Sequence, residues 1–155
     1  MILKKITNNP SQTKKLGEVL SKKILKEKKG TRAQVLALQG ELGGGKTTFL
    51  QGFARGLGIK KRILSPTFVI LKKFKVQNPD FKFFYHIDCY RIKNVKEILD
   101  LGFRKIVSDS KSIVAVEWAD NILKTLPKNT IFITFTFNNK NKRNITIRWP
   151  NKKSD

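Results

Sequence analysis

Eight consecutive residues, Gly40-Glu41-Leu42-Gly43-Gly44-Gly45-Lys46-Thr47, follow the spacing G-x-x-x-x-G-K-[ST]. Glycines at these positions let the backbone curl until successive N–H groups point inward at an anion. A helix beginning near Lys46 adds its unpaired N–H groups and the positive end of its dipole. In that geometry Lys46 reaches the β- and γ-phosphates of a nucleoside triphosphate, and the Thr47 hydroxyl ligates Mg²⁺. Gly43, Gly44, Gly45, Lys46, Thr47 and Thr48 are therefore the expected nucleotide-binding residues. The competing reading is a glycine-rich structural turn. An apolar strand before the loop and a helix after it favour the phosphate site.

A phosphate loop does not define a reaction. Hydrolysis also needs a second metal contact and a group that orients water. Two carboxylates stand where such groups belong. Asp88 follows the run Phe83-Phe84-Tyr85-His86-Ile87, and Glu117 follows Ile113-Val114-Ala115-Val116. In parallel α/β sheets, ligand sites lie beyond the carboxyl ends of the strands. Asp88 and Glu117 are thus expected at the Mg²⁺ or its waters, as catalytic and metal-binding residues. The alternative for each is a loop acid that caps a helix or turn. The chain has only 11 acidic residues, so two of them ending core strands favour the catalytic reading. His86, the single histidine, is read chiefly as a packing or hydrogen-bonding residue near the strand end, with proton transfer as the alternative. Arg91 stays open between an internal arginine finger and a contact to a carboxylate or partner. Cys89 reads as a small packing residue.

The elements that must hold these groups can be traced along the chain. Leu16, Val19, Leu20, Ile24 and Leu25 recur at helical spacing and predict a helix from Ser11, its N-cap, to Lys29, closed by Gly30. Gln34 to Leu38 is an apolar run suited to a buried strand. Lys46 to Leu57 predicts a helix closed by Gly56 and Gly58. Phe68 to Phe74 and Phe81 to Ile87 predict strands joined as a hairpin through the turn residues Gln77-Asn78-Pro79-Asp80. A short helix over 95–101, a strand over 112–116 and a helical turn at Ile122-Leu123 follow. Thr130 to Phe137 and Asn144 to Trp149 predict two strands with a hairpin tip between them. Asn151 to Asp155 reads as a frayed tail. No internal repeat and no long linker divides the chain. The expectation is a single α/β domain over 1–155, a P-loop NTPase-like three-layer arrangement with a central mixed sheet.

Composition limits the class. A chain of 155 residues, 39% hydrophobic with 11 Phe, can bury a real core. One cysteine allows no intrachain disulfide and suits a reducing compartment. No apolar run of about 18 residues exists, so no transmembrane helix is expected. Met1 to Ile6 is too short and interrupted for a signal peptide, and a cytoplasmic location is expected. The net charge of +22, from 33 Lys and Arg against 11 Asp and Glu, attracts phosphate-rich partners at long range. Its alternative is compositional, since Lys is scattered through the whole chain.

Several segments together resemble one family. Gly40-Glu41-Leu42-Gly43-Gly44-Gly45-Lys46-Thr47-Thr48-Phe49 resembles the phosphate loop of the TsaE (YjeE) family, bacterial ATPases of tRNA threonylcarbamoyladenosine biosynthesis. Ser65-Pro66-Thr67-Phe68 is similar to that family's S-P-T-F segment. His86-Ile87-Asp88-Cys89-Tyr90-Arg91 is similar to its H-x-D-x-Y-R, and Val116-Glu117-Trp118-Ala119-Asp120 to its [IV]-E-W-P-[ED]. Thr13 and Leu16-Gly17 fit its T-x-x-L-G. The segments keep the family's order from about residue 10 to 149. Ala119 replaces the common Pro and Cys89 a common Leu, and the family is not notably basic.

The resemblance implies an ATP- and Mg²⁺-dependent ATPase working with a TsaB–TsaD pair. That pair places a threonylcarbamoyl group on adenosine 37 of tRNAs reading codons that start with A. The ATPase resets or drives the cycle without transferring the group. By resemblance Lys46 and the loop hold phosphates, Thr47 and Glu117 serve Mg²⁺, and Asp88 lies close by. Ser65 and Thr67 belong to a switch-like segment, Thr13 touches the nucleotide, and Trp118 flanks the site or a partner surface. Two rival classes remain: a small-molecule P-loop kinase, and a nucleotide-gated tRNA-binding or scaffold protein. A GTPase is disfavoured because no N-K-x-D motif occurs.

Overall fold

The computed structural model describes residues 1–41, 43–64, 70–139 and 141–151. Its strands are β1 (Ile2–Thr7), β2 (Gln34–Gly40), β3 (Leu71–Lys75), β4 (Phe83–Asp88), β5 (Ser112–Glu117), β6 (Ile131–Phe137) and β7 (Arg143–Arg148). Its helices are α1 (Pro10–Lys26), α2 (Lys46–Gly56), α3 (Val95–Leu99) and α4 (Phe103–Ser108), with a 3-10 segment over Ala119–Thr125. The seven strands form one sheet in the order β1-β7-β6-β2-β5-β4-β3. The central four run parallel, and antiparallel strands flank them on both sides. The sheet is mixed, as expected.

Helices cover both faces. Leu36 and Leu38 of β2 point into a core with Leu20 and Ile24 of α1 and Phe49, Leu50 and Phe53 of α2. The alternate residues Val35 and Ala37 point the other way, toward Ile98, Phe103, Val107 and Ile122. With both faces covered, the central strands must be apolar throughout. All six residues of β5 are buried, Glu117 included.

Glycines allow α1 and α2 to cross in close contact. A Cβ on Gly52 would lie 1.8 Å from the carbonyl oxygen of Lys14, and one on Gly17 would lie 2.1 Å from that of Phe49. This crossing fixes the start of α1 beside the phosphate loop.

Several boundaries differ from the expectations. The N-cap of α1 is Asn9, not Ser11. Asn9 Oδ1 accepts from Gln12 N at 2.9 Å, and Pro10 occupies the first helical turn, where its missing N–H costs nothing. The helix stops at Lys26, short of Gly30. Strand β1 was not expected. It is an edge strand whose Leu3 and Thr7 alone turn inward, too few for a period-two signal, yet it pairs with β7 from Ile2↔Arg148 to Thr7↔Arg143. Helix α4 was also unexpected. It has six residues with only Phe103 and Val107 buried, below the length at which helical period is readable. Gly102, expected only to close α3, is its N-cap at φ 85°. The β3–β4 hairpin is present, from Leu71↔Ile87 to Lys75↔Phe83. Phe68 and Val69, expected at its start, lie outside the described residues. Among the described residues no helix is long and apolar enough to cross a membrane.

Candidate functional site

Strand β2 delivers the chain to Gly40 at the carboxyl end of the parallel strands, and α2 carries it away from Lys46. The turn between them is possible only with glycine at its ends. A Cβ on Gly40 would lie 2.5 Å from the carbonyl oxygen of Phe135, and Gly45 caps α2 at φ 97°, a backbone conformation that residues other than glycine rarely adopt. The loop borders a cavity of about 310 Å³. Gly43 to Thr48 line it, with Thr13 from α1, Glu117 and Trp118 from the end of β5, and Arg143 from the β6–β7 hairpin.

Lys46 is buried, with its ammonium held by neutral groups. Nζ donates to the carbonyl oxygens of Gly40 at 2.6 Å and Glu41 at 2.8 Å, and lies 4.2 Å from the centre of the Trp118 ring. Burial pushes its pKa down, while the charges of Glu117, Asp88 and Asp120 pull it back up. A cation stored against carbonyls and a ring can turn to a phosphate without first breaking an ion pair.

Glu117 joins loop and sheet. The Thr47 hydroxyl donates to Oε1 at 2.8 Å, and His86 Nε2 meets Oε2 at 2.6 Å. Glu117 is 2% exposed, so this is no solvated helix cap. Asp88 pairs in register with Glu117 across β4 and β5. It is half-buried, and its Oδ1 accepts from Tyr90 N at 2.9 Å. One Asp88 oxygen therefore does what the turn-capping alternative anticipated, while its charge still acts on Lys46.

Thr13 is buried on the cavity wall. Its hydroxyl lies 2.8 Å from that of Thr7, and its methyl faces Gly45. Ser65 and Thr67, the switch-like pair, lie outside the described residues. Arg91 is exposed and outside the cavity lining. Trp118 is the one non-glycine residue with positive φ among the described residues, at 56°. Its ring packs on Tyr90 with centroids 4.9 Å apart. Backbone strain of this kind concentrates at functional sites.

Some members of the site were not read from the sequence. The His86–Glu117 bond spans 31 positions. Its one signal was parity, since His86 and Asp88 share a face of β4. Arg143 and Asn141 reach the cavity from a hairpin with no motif.

Mg²⁺ takes oxygen ligands, and proteins hold it with one or two carboxylates together with substrate phosphates and waters. The Thr47 hydroxyl and Glu117 carboxylate fit that donor set. Among the described residues no three His, Cys, Asp or Glu side chains gather into a metal-holding group of their own. A Mg²⁺ here would share its shell with the nucleotide.

The family model "Threonylcarbamoyl adenosine biosynthesis protein TsaE" matches residues 7–145. The chain belongs to the TsaE family. It is 38% identical over 145 residues to the tRNA threonylcarbamoyladenosine biosynthesis protein TsaE of Bacillus subtilis, covering 94% of this chain and 84% of that protein. The TsaE of Treponema pallidum is 30% identical over 142 residues, covering 92% of this chain and 97% of the relative. The crystal structure of YdiB from Bacillus subtilis superposes with a TM-score of 0.72 at 31% identity, over 97% of this chain and 87% of that one. The three-layer arrangement is thus that of a solved relative.

Proposed function

We propose that this chain is a Mg²⁺-dependent ATPase of the cytoplasm that serves threonylcarbamoylation of adenosine 37 in tRNA, acting with TsaB- and TsaD-like partners. The observation that carries the reading is the bond between Thr47 and Glu117. It joins the first turn of the phosphate-loop helix to the carboxyl end of β5, at the rim of an open cavity beside Lys46.

The residues divide the work. The N–H groups of the loop and the first turn of α2 bind the phosphate oxygens. Lys46 leaves the carbonyls of Gly40 and Glu41 and neutralises the β- and γ-phosphates. Thr47 and Glu117 would hold Mg²⁺, which would supply positive charge against the phosphates during hydrolysis. Asp88, one strand over, orients the attacking water. Thr13 and Trp118 narrow the cavity and limit bulk water. Ser65 and Thr67 belong to the segment that senses the nucleotide.

Reconstitution tests the reading. Purified partners and tRNA are assayed for modified adenosine with and without this protein. Multiple rounds of modification that require the protein and ATP are expected. Equal modification in its absence contradicts the assignment.

A further inference from the structure

His86 is fully buried, and its two ring nitrogens have unequal surroundings. Nε2 lies 2.6 Å from Glu117 Oε2, while Nδ1 is buried without a hydrogen-bond partner among the described residues. These facts select a tautomer. With the hydrogen on Nδ1, a buried donor goes unpaired, and Glu117 must be protonated to supply the other bond. With the hydrogen on Nε2, His86 donates to a carboxylate, and the unpaired atom is only a lone pair. Buried unpaired acceptors are tolerated better than buried unpaired N–H groups.

The consequence falls on Glu117. The terminal torsion of a glutamate is soft, so nothing intrinsic fixes the plane of the carboxylate. Two donors fix it here, Thr47 on Oε1 and His86 on Oε2. They are not equivalent. Thr47 is itself a proposed metal-binding group, so its bond to Oε1 competes with that role. His86 lies behind the carboxylate in the sheet, two residues before Asp88 on the same face of β4, and has no competing role. We infer that His86 is a positioning residue, whose Nε2–H holds the Glu117 carboxylate in the orientation that receives Mg²⁺ with the nucleotide. This rests on the proposed Mg²⁺–nucleotide site but assigns His86 no part in the chemical step.

The chain has a single histidine, so the tautomer can be read without any substitution. ¹⁵N-histidine labelling of the full chain should give one imidazole that carries a hydrogen on Nε2. A signal from the Nδ1–H tautomer overturns the proposal. The second arm measures affinity for the non-hydrolysable analogue AMP-PNP with and without Mg²⁺, in wild type, His86→Leu and His86→Gln. The Gln amide nitrogen stands as many bonds from the backbone as imidazole Nε2, and Leu keeps the volume without the donor. Loss of a group that supports a metal ligand costs about 10- to 100-fold in metal affinity. His86→Leu should therefore lose about 10-fold or more of the Mg²⁺-dependent gain in affinity, with metal-free affinity unchanged. His86→Gln should keep most of the gain. A folded His86→Leu variant with the full gain overturns the proposal, and so does equal loss with and without Mg²⁺. Wild type showing no Mg²⁺-dependent gain overturns the proposed function itself, and is seen before any variant is made.

Discussion

Replacing Gly52 by Ala tests how the fold holds the site. The added Cβ would lie 1.8 Å from the Lys14 carbonyl oxygen, 2.5 Å from its carbon and 2.6 Å from Lys14 Cα. All three are backbone atoms, so no side-chain rotation relieves the clash. Helix α1 must retreat by about 1.6 Å, from 1.8 Å to the 3.4 Å of ordinary contact. Overpacking of well-fitted interiors costs about 1–3 kcal/mol, and a backbone-to-backbone clash belongs at the upper end. Ala in place of Gly returns about 1 kcal/mol of helix propensity. The net expectation is a loss of about 2 kcal/mol, or a fall in Tm of about 4–8 °C for a chain of this size. The same retreat carries Thr13 away from Gly45, where its methyl now lies 3.7 Å from the position of a Cβ. Nucleotide affinity should therefore fall with stability. Equilibrium urea unfolding and calorimetric titration read the two effects. Gly30→Ala, with nothing within 4 Å, is the control and should change stability by less than about 0.5 kcal/mol. A Gly52→Ala variant as stable as wild type refutes the close crossing of α1 and α2.

Three further predictions concern single groups. Glu117→Gln should abolish hydrolysis and the Mg²⁺-dependent gain in nucleotide affinity while sparing metal-free binding, and Asp88→Ala should slow hydrolysis less severely; parallel turnover and binding assays compare them, and normal turnover by Glu117→Gln refutes its role. On the proposed function nucleotide should draw Lys46 from its place 4.2 Å from the Trp118 ring centre, so saturation should change tryptophan emission, and Trp118→Phe should remove the change although Trp149 remains. The Asp109 carboxylate accepts from Lys111 N at 3.0 Å and Ser112 Oγ at 2.8 Å, and the first of these bonds chiefly holds its pKa below the ordinary 3.8. The unfolded chain then takes up the proton first as pH falls, so this contribution is complete about a unit above the ordinary 3.8 and is lost as pH falls through the folded value. Asp109→Asn should be less stable than wild type at neutral pH, with the gap narrowing toward pH 3 in thermal melts; a gap independent of pH contradicts the cause given.

The site was legible where one residue type has one physical use. The glycine spacing of the loop could be read because few other sequences permit that turn, and Lys46-Thr47 carried the expectation of a phosphate site. The carboxylates were legible by position, as acids ending apolar strands. Their difference in environment was not. Only the folded structure shows Glu117 sealed between Thr47 and His86 while Asp88 bonds to Tyr90 N. The core strands β2, β4 and β5 were readable as apolar runs because helices cover both faces. Strand β1 was not, because an edge strand of Ile2-Leu3-Lys4-Lys5-Ile6-Thr7 takes its order from β7 more than from its own pattern. Asn9 was missed because three neighbouring residues, Asn8, Asn9 and Ser11, can all cap a helix.

The central claim is that the loop from Gly40 to Thr48 binds a nucleoside triphosphate with Mg²⁺ through Lys46. Calorimetric titration of ATP and Mg²⁺ into wild type and Lys46→Ala tests it directly. Saturable binding by wild type and none by a folded Lys46→Ala variant is the predicted result. Equal affinity in the two proteins would contradict it.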